Sequence, residues 1–387
     1  MDPGWRRRAQ RAGEGRRNIG TRIGILLDGP AFRSAVLKER LGRGAGMAER
    51  IGLYRRAALR AGAVPVFYAL DRLRLKANVA TGYRYRGGAY VPERAALPRA
   101  IHNRAFATSA GQRRALRRLR RLTHLFNPQN RQSKLKIYLI LKGKLAAHLP
   151  ETKPYSRQAL REMMRKYGSV YVKPRRGSVG EGVMHAQSAG GGKWRVKIGG
   201  NNRLLGFDAA CAALGRTALS RTHIVQQGIP LARYRGRPFD LRVTVQRGGE
   251  GRWQVAGMFG KVAKAGRHVT NLARGGKAMK PEPLLAACFA RPKEIMESIE
   301  RTALAAAHRA AEKLPGIADL GIDIGVDAAG HPYIIEINFR DQRYGFAKAN
   351  MMRTLYAAYE NPVRYAKRLA EGAGPPRSGA ERPNLVQ

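Results

Sequence analysis

The chain has 387 residues, 44% of them apolar, and 74 Lys+Arg against 26 Asp+Glu leave a net charge of +48. That apolar share can build a sizeable core and excludes wholesale disorder, while two cysteines, Cys211 and Cys288, exclude a disulfide scaffold and a multi-cysteine metal site. The longest apolar runs, such as Ile137–Leu141, fall far short of the roughly 20 residues a membrane span needs, and no signal-peptide stretch follows the basic N-terminus, so the chain reads as soluble and cytoplasmic with no transmembrane segment.

Residues 1–18 have little apolar content and read as a basic flexible arm. Ile23–Leu27 (IGILL) reads as a buried strand opening an α/β domain, with a helix over Met47–Ala61 and a second strand over Val64–Ala69. Gly82–Val91 has the pattern of a hairpin turning on Gly-Gly. Pro98–Arg104 leads into a basic helix over residues 111–121. Strands alternating with helices predict a small parallel-sheet domain over residues 19–126.

The next domain is expected over residues 127–370, starting at Asn127-Pro128. Ser133 is a candidate cap for a helix over Lys134–Ala147, and Pro150 and Pro154 mark its end. Ser156 caps a second helix that stops at Gly168. The strand Val170–Lys173 then runs into a glycine-rich loop. A helix over Ala209–Leu219 and strands over His223–Gln227, Asp240–Gln246 and Trp253–Val262 follow. Glu294–Leu314 is a long helix without an internal proline, and Gly321–Asn338 a hairpin around Asp327–Gly330. The Pro/Gly-rich tail, residues 371–387, reads as loose. The length fits two or three domains, and no internal repeat stands out.

The charge attracts polyanions. Part of it is concentrated in Arg6–Arg17 and in Arg113–Arg121 (RRALRRLRR). No nucleic-acid recognition motif accompanies it, so the plain reading is a solvated basic surface, and nucleic acid enters only through non-specific charge.

Four segments could carry chemistry. In VYVKPRRGSVGEGV (170–183) a strand delivers Lys173 beside Gly177, Gly180 and Gly182. Glycines let backbone N–H groups fold around an anion; the segment fits either that or a glycine-rich hairpin with a surface lysine. No Gly-Lys-Ser/Thr ends it, so it is not a Walker A loop. The triplet Gly42, Gly44 and Gly46 does not directly follow a strand and is set aside.

In LGIDIGVDAAGHPYIIEINF (320–339) alternation points Glu336 and Asn338 the same way, and the hairpin brings Asp323 near them. Two carboxylates and an amide oxygen suit Mg²⁺. Ile334, Ile335 and Ile337 suggest a central strand, where Glu336 would be costly without a cation; the alternative is a salt-bridged Glu at the sheet margin. In PFDLRVTV (238–245) Phe239, Leu241, Val243 and Val245 alternate with Asp240, Arg242 and Thr244, which could line a cleft or an ordinary half-exposed face. In TNLARGG (270–276) Asn271 and Arg274 sit beside paired glycines, as a phosphate-orienting loop or a plain turn would have them. The eight histidines show no paired metal spacing, and His185, His223 and His268 read as structural or surface residues.

In this order the segments resemble the ATP-grasp superfamily, and the chain is similar to the YheC/YheD family of endospore coat-associated proteins. The resemblance runs from about Ile23 to Arg368 and rests on IHNR (101–104), LFNPQNRQSK (125–134), LPETKPYS (149–156), VYVKPRRGSVGEGV, IVQQGIP (224–230), PFDLRV, TNLARGG and GIDIG…IIEIN. It implies an N-terminal α/β domain followed by an α+β ATP-grasp fold, whose two subdomains clasp ATP, with a small lid over about 155–230.

The resemblance implies that Lys134 and Lys173 contact the nucleotide phosphates and that Ser178, Val179 and Gly180 lie in the loop covering them. Gln226, Gln227 and Ile229 would form the hinge beside adenine; many relatives have Glu where this chain has Gln226. Asp240 would meet the ribose hydroxyls. Arg242, Asn271 and Arg274 would face the transferred phosphate or the acceptor. Asp323, Glu336 and Asn338 would hold Mg²⁺, or Mn²⁺ in its place.

The reaction implied is ligation, with a carboxylate activated as an acyl-phosphate and then attacked by an amine. Spore envelope or coat formation is the implied setting, and an anionic envelope polymer or coat proteins are candidate partners. Two other readings stand beside it: a non-catalytic coat protein that keeps the fold, and a polyanion-binding protein.

Overall fold

The computed structural model describes residues 20–40, 49–177, 181–218, 221–265, 270 and 272–372. The N-terminal arm, the triplet at 42–46, Ser178–Gly180, His268, Asn271 and the tail beyond 372 lie outside the described residues.

The first sheet contains β1 (Thr21–Leu27), β2 (Ala63–Ala69), β3 (Val79–Arg86), β4 (Ala89–Ala96), β5 (Ala100–Asn103) and β6 (His124–Phe126), in the order β4-β3-β2-β1-β5-β6. β1 is parallel to β2 and β5, and β5 to β6. The apolar run of β1 is buried because this parallel core is covered on both faces. The expected hairpin is β3–β4, turning on Gly87 and Gly88 at φ +55° and +81°, a conformation glycine adopts without strain.

Around this sheet lie α1 (Gly29–Arg40), α2 (Ile51–Arg60) and α3 (Ala110–Leu122). Helix α1, which starts on Gly-Pro, was not foreseen. Helix α2 begins four residues later than expected, after Glu49 and Arg50. Ser109 caps α3, accepting from the Gln112 N–H while the Gln112 side chain reaches back.

The second sheet is antiparallel, in the order β11-β10-β9-β8-β12-β7. Its strands are β7 (Thr152–Pro154), β8 (Ser169–Pro174), β9 (Met184–Gly190), β10 (Lys193–Ile198), β11 (Asn201–Gly206) and β12 (His223–Gln227). The sequence reading missed β7 and the meander β9–β11. Helix α4 (Lys134–Leu145) precedes this sheet, and α5 (Arg157–Lys166) and α6 (Phe207–Gly215) cover it. Ser156 does cap α5 through the Ala159 N–H. Ser133 sits at the start of α4, but its hydroxyl makes no capping bond.

The third sheet runs β16-β15-β14-β17-β18, with β13 (Arg233–Tyr234) paired to β14. Its long strands are β14 (Arg237–Arg247), β15 (Trp253–Val262), β17 (Asp319–Val326) and β18 (Pro332–Asn338), with β16 (Lys277–Met279) short. Strand β18 is an edge, not a central strand. Ile334 and Ile337 are buried because α8 (Pro292–Lys313) lies on the strand's apolar face and the turn Ala146–His148 covers its margin, while Ile335 is half-buried. Helix α7 (Pro281–Ala286) precedes α8. Ile299, Ala303, Ala306 and Ala310 of α8 meet Leu241, Val243, Ile322 and Ile324 in one core. After α9 (Tyr344–Lys348), helix α10 (Met352–Ala370) returns to the first sheet, where Leu355, Tyr359 and Val363 pack with Ile23, Ile25 and Tyr54.

Candidate active site

On β14 the apolar set Phe239, Leu241, Val243 and Val245 is fully buried against α8. The opposite face carries Asp240, Arg242, Thr244 and Gln246. Register then decides what meets what: Arg242 lies opposite Asp323 on β17, Asp323 opposite Glu336 on β18, and Asp240 opposite Lys261 on β15. Opposite residues of an antiparallel pair share a face, so one row of charged side chains crosses the sheet.

Arg242 forks onto Asp323, Nε to Oδ1 at 2.7 Å and Nη2 to Oδ2 at 3.0 Å, and its Nη1 donates to Asp341 Oδ1 at 3.0 Å. Lys261 Nζ donates to Asp323 Oδ1 at 2.7 Å and pairs with Asp240 Oδ1 at 2.9 Å. Thr270 donates to Asp240, and Thr244 to Asp341 Oδ2 at 2.6 Å. Asn338 Nδ2 donates to Asp323 Oδ2 at 3.2 Å, so the expected acidic pair and amide do converge. Burial alone would raise the Asp323 carboxyl, but Arg242 and Lys261 outweigh it and hold it well below the usual carboxylate range. Burial raises Asp240, which draws mainly on Lys261. A side chain at Gly321 would put a Cβ 2.2 Å from Asp341 Oδ1, so the glycine lets Asp341 approach the sheet.

Across a cleft from this row stand two lysines. Lys134 opens α4; its Nζ lies 2.8 Å from Glu336 Oε1 and donates to the Gly177 carbonyl at 3.1 Å. Lys173 projects from β8. Burial pushes its ammonium down to about 8, with Glu336 opposing and Lys134 reinforcing the shift. Ile137, Leu141, Leu149 and Ile335 line the cleft between α4 and β18, beside Lys134, Gln226 and Glu336.

Strand β12, where the hinge was expected, is paired on both sides, to β7 and β8. Gln226 is buried and its Nε2 donates to Thr152 Oγ1 at 2.8 Å. Gln227 donates its N–H to the Glu151 carbonyl, while its side-chain Oε1 accepts the Glu151 N–H at 3.1 Å. That side-chain bond takes the place of the ladder bond that the Gln227 carbonyl would otherwise accept. Ile229 is half-buried and its carbonyl accepts from Leu231.

Asp240, the residue expected at the ribose, is buried. Its carboxylate is buried between Lys261 and Thr270 and has little surface left for a sugar hydroxyl. Arg274 belongs to the turn Leu272–Arg274, and its side chain is outside the described set. His185 bonds Ser169 Oγ at 2.8 Å and stacks on Tyr171, a structural role, and His223 bonds its neighbour Thr222. Cys211 and Cys288 are both free thiols.

The sequence reading missed Lys261 and Asp341, and although Thr244 and Thr270 lie in segments it singled out, it gave neither a role of its own. It also missed a second buried cluster beneath the site. Arg104 Nε bonds Glu49 Oε1 at 2.8 Å, its Nη1 bonds Asp319 Oδ2 at 3.0 Å, and its Nη2 reaches the Asp341 carbonyl. Arg343 pairs with Asp319 and reaches the Tyr54 hydroxyl at 3.1 Å. Gln246 Nε2 donates to Asp319 Oδ1 at 2.8 Å. Asn127 Nδ2 bonds the carbonyls of Asp319 and Phe339, and its Oδ1 takes the N–H groups of Ala318 and Asp319. Asp341 joins the two clusters, side chain to Arg242 and carbonyl to Arg104. The signal was present in IHNR (101–104) and in the Asn127-Pro128 step, both of which lie at this junction.

A parallel-sheet domain, followed by two antiparallel sheets with lysines and carboxylates facing each other across a cleft, defines an ATP-grasp protein. The chain belongs to the YheC/D-like ATP-grasp family, whose model matches residues 122–369. It is 27% identical over 241 residues to the endospore coat-associated protein YheD of Bacillus subtilis (strain 168), covering 58% of this chain and 52% of that protein. The chain therefore spans about half the length of that relative.

Among solved structures it is similar to D-alanyl-alanine synthetase A of Vibrio cholerae, with a TM-score of 0.54, 12% identity, and 92% of this chain and 98% of that one covered. It is also similar to the D-cycloserine synthetase DcsG, with a TM-score of 0.52, 14% identity, and 90% and 99% covered. At these identities the likeness is one of fold. No helix among the described residues is long and apolar enough to cross a membrane.

Proposed function

We propose that the protein is an ATP- and Mg²⁺-dependent carboxylate–amine ligase. The observation that carries this reading is the row Arg242–Asp323–Glu336 crossing three neighbouring strands, with Lys134 and Lys173 facing it. Such a row concentrates charge on a sheet face that also carries Lys261, Asp240 and Asp341. It suits a polyphosphate whose charge must be held and redistributed as a phosphoryl group moves.

Lys134 and Lys173 would hold the phosphates, and Ser178, Val179 and Gly180 would cover them. The Gln227 carbonyl and the Ile229 N–H would meet adenine. Gln226, tied to Thr152, would set the hinge rather than read the base. Arg242 would face the transferred phosphoryl group, with Asn271 and Arg274 beside the acceptor. Asp240 would act through Lys261, holding its ammonium against Asp323.

Asp323, Glu336 and Asn338 would hold Mg²⁺, or Mn²⁺, only after local rearrangement: Glu336 must exchange Lys134 for the metal, Asp323 must free an oxygen now held by Arg242, Lys261 and Asn338, and the Asn338 amide must turn its oxygen inward. The metal would neutralise phosphate charge as it shifts toward the leaving ADP. In the reaction, a carboxylate oxygen bonds to the γ-phosphorus as the bond to the β–γ bridging oxygen breaks, releasing ADP. An amine then bonds to the acyl carbon, loses a proton, and phosphate departs with the C–O electrons. The apolar cleft wall keeps water from the acyl-phosphate.

The relative's name points to spore coat or envelope formation as the setting. It also favours a second reading, a coat protein that binds ATP without turnover; steady ADP release with an acceptor present separates the two. The test of the site is calorimetric titration of Mg·ATP into the wild type and into Glu336→Ala. Magnesium-dependent binding that the variant loses is the expected result. Absence of binding to both overturns the nucleotide site.

A further inference from the structure

Helix α3 carries Arg113, Arg114, Arg117, Arg118, Arg120 and Arg121, all exposed. No acidic residue lies in the helix, and none of these arginines forms an ion pair with a described residue. Other surface arginines of this chain do find carboxylates: Arg22, Arg84 and Arg86 share Glu93, Arg55 pairs with Glu39, and Arg364 with Glu360. Arg56, Arg60, Arg94 and Arg99 are also exposed without an ion pair to a described residue, so what distinguishes α3 is the density of six arginines on one helix. Six like charges over about 12 Å of helix repel one another and lower the free energy of any bound polyanion.

The position of α3 gives this face a direction. The strand β5 ends at the cleft side of the first sheet, and the loop from Arg104 to Thr108 leads straight into the helix. Within that loop Phe106 gives its N–H to Asp28 at 2.7 Å. Arg340 bonds Asp28 at 2.8 Å and stacks on Phe106 at 4.6 Å. Arg131, exposed and three residues before Lys134, lies 4.8 Å over the same ring. Arg131, three residues before Lys134, and Arg340 thus both lie over Phe106, four residues before α3 begins at Ala110.

We propose that the arginine face of α3 is a docking track for an acidic peptide, one of whose carboxylates is the group activated in the cleft; this rests on the ligase reading. A single peptide then supplies both the reacting carboxylate and the charges that the guanidinium forks hold. The face does not suit membrane insertion, because Leu116 and Leu119, the apolar side of α3, are buried in the protein.

The test uses the full chain and a fluorescein-labelled oligoglutamate peptide, read by anisotropy at low salt. The compared variant combines Arg113→Gln, Arg114→Gln, Arg117→Gln and Arg118→Gln, exposed changes that preserve helix propensity. The expected result is peptide binding that weakens with added salt and falls about tenfold or more in the variant, with Mg·ATP affinity unchanged. Equal peptide binding by variant and wild type overturns the track. So does tighter binding of a single-stranded oligonucleotide of equal charge, which would make the face a nucleic-acid surface. Peptide binding is measured without turnover. If ADP release fails with every acceptor while peptide binding still depends on α3, the ligase reading falls and activation of a peptide carboxylate falls with it, while the docking of the peptide on α3 stands.

Discussion

Arg242 and Asp323 face each other across two neighbouring strands and are joined by two parallel hydrogen bonds of 2.7 and 3.0 Å. The pair is buried in a face that also holds Lys261, Asp341 and Asp240. A buried pair of this kind resists loss of one partner far more than replacement of both. Arg242→Ala would leave Asp323 and Asp341 without their shared cation. The expected cost is about 3–5 kcal/mol in a urea melt without nucleotide. The exposed pair Arg364–Glu360 is the control, and Arg364→Ala should cost about 0.5 kcal/mol or less. Equal costs would show that the Arg242 network adds nothing to stability.

Glu336 behaves differently because it is more open. Its side chain is 32% exposed and pairs with Lys134 at 2.8 Å. Glu336→Gln keeps the shape and should change stability by about 1 kcal/mol or less. The same change removes one of the two metal carboxylates, so the magnesium dependence of ATP binding should disappear. Thermal melts with and without Mg·ATP check both halves. A variant that still gains stability from Mg·ATP but not from ATP alone would remove Glu336 from the metal set.

The parts of the site that were legible in the sequence obey short-range rules. Alternation along β18 and the turn at Asp327–Gly330 were enough to bring Asp323, Glu336 and Asn338 together. Lys261 was not legible, because a single lysine in WQVAGMFGKV has no pattern of its own. Its meaning comes from register, which sets it opposite Asp240. The meander β9–β11 was hidden for a related reason. MHAQSAG and NNRLLG are largely exposed and polar, and cross-strand pairing rather than apolar alternation holds them. Strand β18 read as central because of its three isoleucines, yet Ile334 and Ile337 are covered by helix and turn rather than by a further strand, and Ile335 faces the cleft.

Lys173 should couple nucleotide binding to protons. Burial holds its ammonium near 8, against roughly 10.4 for a free lysine. Phosphates beside it would favour the charged form and raise that value again. Between about pH 8 and 10 the free protein is then partly unprotonated and the complex protonated, so binding should take up a proton and weaken as pH rises. Calorimetry in buffers of different ionisation enthalpy measures this directly. Lys173→Met should abolish the uptake, and an unchanged uptake would place the proton elsewhere.

His102 ties the first sheet to the buried cluster beneath the site and should set part of its acid sensitivity. The ring stacks on Phe126 at 4.5 Å, and its Nε2 lies 3.2 Å from Asp319 Oδ2. Burial pushes the imidazole down to about 4, although Asp319 pulls it the other way. Its unfolded value is roughly 6.5. Between these values the unfolded chain binds a proton that the folded chain does not, so stability falls as pH drops from about 6.5 to 4. The full effect is about 3 kcal/mol, at roughly 1.4 kcal/mol per pH unit. Asp319 belongs to a lower window. Arg343 and the groups around it hold its carboxyl well below the usual range against burial, so its stabilisation persists until the pH falls below about 4. His102→Asn should therefore flatten the stability profile between pH 6.5 and 4 and leave the steeper fall below it. Urea melts across that range read the slope, which stays interpretable even if the variant is less stable throughout. An unchanged slope would mean that His102 is protonated in the folded protein and that Asp319, not burial, sets its charge.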